Sequence, residues 1–154
     1  MSSNIEYISN SASITKKIGN NLAKTILGQS IGEQAVVVAL KGDLGAGKTQ
    51  FSQGVAKELG VKEAVNSPTF SIMKKYPLKK NKNGFKNFYH IDCYRLDSQA
   101  DLAHLGIEDI LIDPKNIVAV EWPKIIENLL PKSSFTINFE AIGKNKRKIT
   151  IYGK

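Results

Sequence analysis

The feature that most constrains this chain is the octapeptide Gly42-Asp43-Leu44-Gly45-Ala46-Gly47-Lys48-Thr49, set between a branched apolar run and a stretch with helical periodicity. It fits G-x-x-x-x-G-K-[ST], the P-loop pattern. Glycines at 42, 45 and 47 allow dihedrals and close approaches that a side chain would block. The loop's N–H groups, Ala46 included, can then turn inward on phosphate oxygens, helped by the positive end of the following helix. In such a loop Lys48 reaches the β- and γ-phosphates and the Thr49 hydroxyl ligates Mg²⁺. With Gly at about 7% of residues, chance supplies this pattern in roughly one chain of this length in a few hundred. The flanks sharpen it. AVVVAL (35–40) is short, β-branched and continuously apolar, as a strand buried on both faces of a parallel sheet is. The residues after Thr49 read as a helix to about Leu59, ended by Gly60. A guanine-reading Asn/Thr-Lys-x-Asp segment does not follow any strand, which favours ATP over GTP.

Around this centre the 154 residues suffice for one domain, taken as 1–154. A hydrophobic share of 42% supports a core, and 23% charged residues gives no sign of global disorder. The single cysteine, Cys93, excludes an intramolecular disulfide framework and a Cys-rich zinc site, and fits a reducing cytosol. The opening MSSNIEYISN lacks a basic start followed by an apolar stretch, which predicts no secretory leader. The longest apolar run, Ala35 to Leu40, is far below the roughly 20 residues that span a bilayer. Periodicity predicts a strand over 4–9 and a helix over 12–27, the latter with Ile14, Ile18, Leu22 and Ile26 on one stripe. Strands over 70–78 and 85–91 are joined by a turn-rich segment ending in Asn83-Gly84. A capping-box pattern at Ser98 opens a short helix over 99–105. A buried-type strand follows over 116–122, with Trp122-Pro123 as a helix start, and then a hairpin over 134–142 and 146–152. The expected fold is α/β: a P-loop NTPase-like three-layer sandwich with a largely parallel central sheet and antiparallel edge hairpins.

P-loop enzymes need an acid at the tip of a neighbouring strand, to hold Mg²⁺ directly or through water. Glu121 ends IVAVE and Asp92 ends FYHID, so both emerge where ligands of open α/β sheets bind. The residues alone do not say which acid holds the metal and which orients the attacking water. His90, Asp92 and Tyr94 share one strand face by alternation. His90 and Asp92 could serve acid–base work, or His90 could be a half-buried histidine with a structural partner; the two readings weigh equally. Ser67-Pro68-Thr69-Phe70 follows the P-loop helix, where other P-loop enzymes place a γ-phosphate sensor, though as a bare tetrapeptide it reads first as a plain turn. Cys93 reads as a small buried hydrophobe.

The net charge is +8, with basic residues gathered around both predicted hairpins: Lys74, Lys75, Lys79, Lys80, Lys82 and Lys86 at the first, Lys144, Lys146, Arg147 and Lys148 at the second. Such patches attract nucleic acid, but a charge run is more often a solvated face, and the sparse aromatic interleaving does not make a stacking platform. Two rival functions stay open on these features. A small-molecule kinase would need an acceptor pocket and usually an Arg-rich lid, yet the chain has only Arg95 and Arg147. A basic RNA-binding module would hold nucleotide only as a structural ligand.

Together, GDLGAGKT (42–49), SPTF (67–70), HIDCYRL (90–96), LGIED (105–109) and VEWP (120–123) make the chain resemble the TsaE family, also called YjeE. The resemblance covers nearly the whole chain. It implies a small bacterial P-loop ATPase, cytoplasmic and with no membrane contact. Its ATP hydrolysis would support N6-threonylcarbamoylation of adenosine 37 in tRNA by acting on a TsaB–TsaD heterodimer. It would meet tRNA indirectly, with direct contact left open. The resemblance makes Gly42, Gly45, Ala46, Gly47, Lys48, Thr49 and Gln50 the nucleotide cradle, with Lys48 also catalytic. It gives Thr49 and Glu121 to Mg²⁺, assigns Asp92 a catalytic role, and makes Ser67, Pro68, Thr69 and Phe70 a switch-like loop. Trp122 would lie close to the nucleotide and Thr15 near the adenine. Two positions depart from the family pattern. Gln50 stands where many members have a second Thr, which bears on an α-phosphate contact, and Cys93 replaces a commoner aliphatic residue.

Overall fold

In chain order the elements of this computed structural model are β1 (Ser3–Ser9), α1 (Ala12–Leu27), β2 (Val36–Gly42), α2 (Lys48–Glu58), β3 (Met73–Pro77) and β4 (Asn87–Asp92). They continue with α3 (Ala100–Ala103), α4 (Ile107–Ile112), β5 (Asn116–Glu121), a 3-10 helix over Pro123–Leu129, β6 (Phe135–Gly143) and β7 (Lys146–Gly153). The structure describes residues 3–43, 45–66, 72–81, 83–96, 98 and 100–153.

The strands form one seven-stranded sheet in the order β1-β7-β6-β2-β5-β4-β3. The centre is parallel: β5 runs parallel to both β2 and β4, and β6 runs parallel to β2. β3 lies antiparallel to β4 at one side, and β7 and then β1 continue antiparallel at the other. The C-terminal hairpin is therefore more than an edge addition, because β6 also joins the parallel centre. Its apolar row Phe135, Ile137 and Phe139 belongs to the core under α1 and α2, which requires a place inside the sheet.

Alternation along β2, β4 and β5 divides the core into two layers. Val38, Leu40, Phe88, Ile117 and Ala119 pack with α1 and α2 on one face. Val37, Tyr89, Ile91, Val118 and Val120 pack with α3, α4 and the 3-10 helix on the other. Every residue of β5 is buried, as a strand covered on both faces must be.

α1 crosses α2 at two glycines. A methyl on Gly19 would overlap the carbonyl of Phe51, and one on Gly54 would overlap the carbonyl of Lys16, so the backbones touch at the crossing.

One expectation needs adjustment. The helix expected over 99–105 is only the four-residue α3. It tightens through Leu105 N–H to Leu102 O at 3.0 Å and turns at Gly106, whose φ of 68° is left-handed. Past that turn the six residues IEDILI form α4, too short a run to reveal its period in sequence. The β3–β4 hairpin forms as expected, antiparallel and through the longer turn-rich connection. Asn81 folds it from within, donating to Phe85 O at 2.7 Å and accepting from Phe85 N at 3.0 Å. Among the described residues no helix is long and apolar enough to cross a membrane.

Candidate functional site

β2 delivers the chain to the loop at Gly42, and α2 leaves it at Lys48. A side chain on Gly42 would lie 2.8 Å from the Phe139 carbonyl of β6, so only glycine lets the loop lie this close to the sheet. Gly47 has φ 104°, a left-handed value that starts α2 without a capping side chain and leaves the first N–H groups facing outward. Leu44 lies outside the described residues; the other loop positions are described.

Lys48 is buried, at 5% exposure. Its Nζ donates to Gly42 O and, at 3.2 Å, to Asp43 O, and lies 3.7 Å from the centre of the Trp122 ring. Burial pulls its pKa below the ordinary 10.5, while the carboxylates of Glu121, Asp92 and Asp43 act the other way. Trp122 reaches this position because it follows β5 with φ 56°, an uncommon value for a bulky residue. Its N–H bonds Leu40 O at 3.3 Å, and its ring tilts against Tyr94 at 5.0 Å between centroids. The lone tryptophan thus closes one wall around the lysine of the loop.

Asp92 and Glu121 occupy partner positions at the level ends of β4 and β5, and Glu121 also pairs with Leu40 of β2. Their surroundings differ. Asp92 is half-buried and accepts the Tyr94 N–H at 3.0 Å in an Asx turn. Glu121 is 3% exposed, with Oε2 2.6 Å from His90 Nε2. The histidine is fully buried and pairs with Glu121, so of the two readings the His90–Asp92 couple gives way, and the partner lies across on the next strand. Alternation correctly put His90 on the Asp92 face. What it could not show was that β5 lies beside β4 and brings a second acid closer. Cys93, 3% exposed, is inert packing: burial, with the Asp92 charge adding, pushes its thiol up to about 12.

Among the described residues no three His, Cys, Asp or Glu side chains converge as a self-sufficient metal cage. Glu121 commits one oxygen to His90, and among the described residues its other oxygen takes no hydrogen bond. One free carboxylate oxygen, with the hydroxyl that Thr49 offers in the first turn of α2, is a donor set for a hard cation that draws its remaining ligands from phosphate oxygens and water. That is how Mg²⁺ is usually held. The residues present fit the ion.

Beyond Gly47 a cleft of about 340 Å³ opens, lined by Ser9, Asn10, Thr15, Gln50, Asn145 and Arg147 among others. Thr15 is buried on α1, with its methyl 3.5 Å from where a Gly47 Cβ would sit. Its hydroxyl lies 2.7 Å from Ser9 Oγ, which itself donates to Ser11 O at 2.8 Å. Thr15 therefore gives its proton to Ser9 and offers the cleft only acceptor capacity. Arg147, at the start of β7, donates to Gly45 O at 3.1 Å and so ties the C-terminal hairpin to the loop. Sequence reasoning missed Ser9, Asn145 and Arg147 here, since only the sheet order brings the chain termini to the loop.

The structure thus gathers Gly42, Gly45, Gly47, Lys48, Glu121, Asp92 and Trp122 at one edge of the sheet, with Thr15 and Gln50 beyond Gly47. Ser67, Pro68, Thr69 and Phe70 lie outside the described residues.

A family model described as Threonylcarbamoyl adenosine biosynthesis protein TsaE matches residues 9–149. Relatives named tRNA threonylcarbamoyladenosine biosynthesis protein TsaE include one from Bacillus subtilis, 39% identical over 114 residues, covering 74% of this chain and 67% of the relative. One from Rickettsia conorii is 36% identical over 143 residues, 92% of this chain and 74% of its own. One from Treponema pallidum is 33% identical over 144 residues, 94% and 97%. Among solved structures, the crystal structure of Bacillus subtilis YdiB superimposes with a TM-score of 0.68 at 28% identity, covering 99% of this chain and 87% of that one.

Proposed function

The chain belongs to the TsaE family of tRNA threonylcarbamoyladenosine biosynthesis proteins, and on that premise we propose that it is an Mg-ATP hydrolase acting on a TsaB–TsaD complex in the cytoplasm. The observation that carries this reading is the convergence of Lys48, Glu121 and Asp92 at the loop between β2 and α2. In this reading the loop N–H groups from Gly45 to Thr49 cradle the β-phosphate. Lys48 exchanges its carbonyl contacts for phosphate oxygens. Thr49 and Glu121 hold Mg²⁺, which supplies charge neutralisation at the phosphate oxygens when bound. Asp92 borders solvent and orients the attacking water, accepting its proton as the water oxygen bonds to the γ-phosphorus and the β–γ bridging bond breaks to release ADP. The cleft past Gly47 takes the nucleoside, with Thr15 an acceptor for an exocyclic amine and Gln50 beside the α-phosphate. Trp122 screens the site from water.

tRNA is met through the TsaB–TsaD partner, and hydrolysis resets that complex rather than transferring the threonylcarbamoyl group. The test is phosphate release by the full chain with and without TsaB and TsaD, alongside ATP binding by Lys48→Ala. Partner-stimulated release, and loss of ATP binding in the folded variant, are expected. A folded Lys48→Ala that keeps tight ATP binding refutes the assignment.

A further inference from the structure

We infer that His90 is the positioning residue of the metal site: its Nε2–H donates to Glu121 Oε2 and so fixes the direction in which the other carboxylate oxygen points. The inference rests on the reading that this site takes a metal-bound nucleotide.

Three observations carry it. His90 stands opposite Ala119 in the β4–β5 register, two residues short of Glu121. Its ring must therefore lean along the strand to reach the carboxylate, and the 2.6 Å bond holds both side chains in that pose. Second, the pair is sealed, with side-chain exposures of 0% for His90 and 4% for Glu121. Phe88 and Ala119 of the same core layer belong to the apolar surroundings. A histidine with no exposed surface cannot touch substrate, so any contribution passes through Glu121. In such low-dielectric surroundings the bond is strong and hard to exchange for water.

Third, among the described residues His90 Nδ1 is buried without a hydrogen-bond partner. A ring nitrogen left bare there is an unused acceptor. The same nitrogen carrying a proton would be a buried donor with nowhere to point, the costlier condition. The ring therefore carries its proton on Nε2 and faces the carboxylate as a donor. Glu121 Oε2 accepts that bond. Hydrogen-bonded supports of this kind tune metal affinity about 10–100-fold.

The experiment uses the full chain with Mn²⁺ as the metal probe, its binding to the ATP complex read by electron paramagnetic resonance. ATP affinity in EDTA and thermal melting are measured alongside. His90→Gln keeps an amide donor near the Nε2 position; His90→Asn ends one bond shorter and cannot reach. Expected are a Mn²⁺ affinity about 10–100-fold lower in His90→Asn, near-native affinity in His90→Gln, and metal-free ATP affinity unchanged in both. Native Mn²⁺ affinity in His90→Asn, or equal loss in the two variants, overturns the inference. If wild type itself fails to hold Mn²⁺ with ATP, the metal–nucleotide reading falls first and takes this inference with it. Should His90→Asn not fold, long-range ¹H–¹⁵N spectra of wild type decide, since the chain has only two histidines. A bare Nδ1 resonance for His90 supports the proposal, and a protonated Nδ1 overturns it.

Discussion

Gly54→Ala sets two effects of opposite sign against each other. In the interior of a helix such as α2, alanine is favoured over glycine by about 1 kcal/mol. Against that, the added methyl would lie 2.8 Å from both the carbonyl carbon and the Cα of Lys16, and the carbonyl oxygen is nearer still. Carbon atoms rest at about 3.5–4.0 Å, so α1 and α2 must part by about 1 Å. Neither side can yield by rotating a side chain, because the obstruction is backbone. Overpacking costs about 1–3 kcal/mol, and a backbone-on-backbone overlap belongs at the upper end. The net expectation is a loss of about 2 kcal/mol, which for a chain of this size lowers Tm by about 4–8 °C. The same parting draws Thr15 away from Gly47, so ATP affinity falls with stability. Melting by circular dichroism and ATP titration measure both, with Gly32→Ala as control because nothing lies within 4 Å of a methyl there. A Gly54→Ala chain as stable as wild type, or more so, would mean that propensity wins and that the helices do not meet through their backbones.

Asp92→Asn should leave Mg-ATP affinity largely intact while partner-stimulated phosphate release falls by about 10²-fold or more, the scale of losing a proton-accepting, water-positioning group; an equal fall in affinity would move Asp92 to the metal. Cys93, with its thiol raised to about 12, should resist a thiol-reactive dye at pH 8 in the native protein and react promptly once unfolded, since only about 10⁻⁴ of it is thiolate; prompt labelling of the native chain would contradict its burial.

The sequence made the centre of this fold legible where local signals and tertiary demands agree. AVVVAL before the loop, the four-residue spacing of α1, and IVAVE ending in an acid each carry their burial pattern in their own composition, and each becomes the element expected. The loop glycines were readable for the same reason, because a bend this close to β6 excludes side chains. What could not be read depends on neighbours distant in the chain. IEDILI is a helix only because Gly106 turns it onto the far face of the sheet. Likewise, Arg147 reaches Gly45 only because β6 pairs with β2 and carries β7 beside it. The partner of His90 was hidden too, since alternation gives the face of a residue but not the strand across from it.

That hidden register separates the two acids. Asp92 and Glu121 end level on adjacent parallel strands, about 5 Å apart by strand spacing, and both face the buried ammonium of Lys48. Two equivalent carboxylates at that distance would compete for the same cation. Here their surroundings make them unlike, which is how a pair of acids acquires separate tasks. Glu121 sits within the sheet, one oxygen fixed by His90, and can turn only its remaining oxygen outward. Asp92 sits where β4 ends, half-buried and held by the backbone of Tyr94. A rigid, desolvated carboxylate suits a ligand that must keep one geometry through turnover. One bordering solvent suits a group that must receive a water molecule and release a proton each cycle. Burial and hydrogen bonding thus support the proposed division, metal to Glu121 and water to Asp92, on grounds separate from the family likeness.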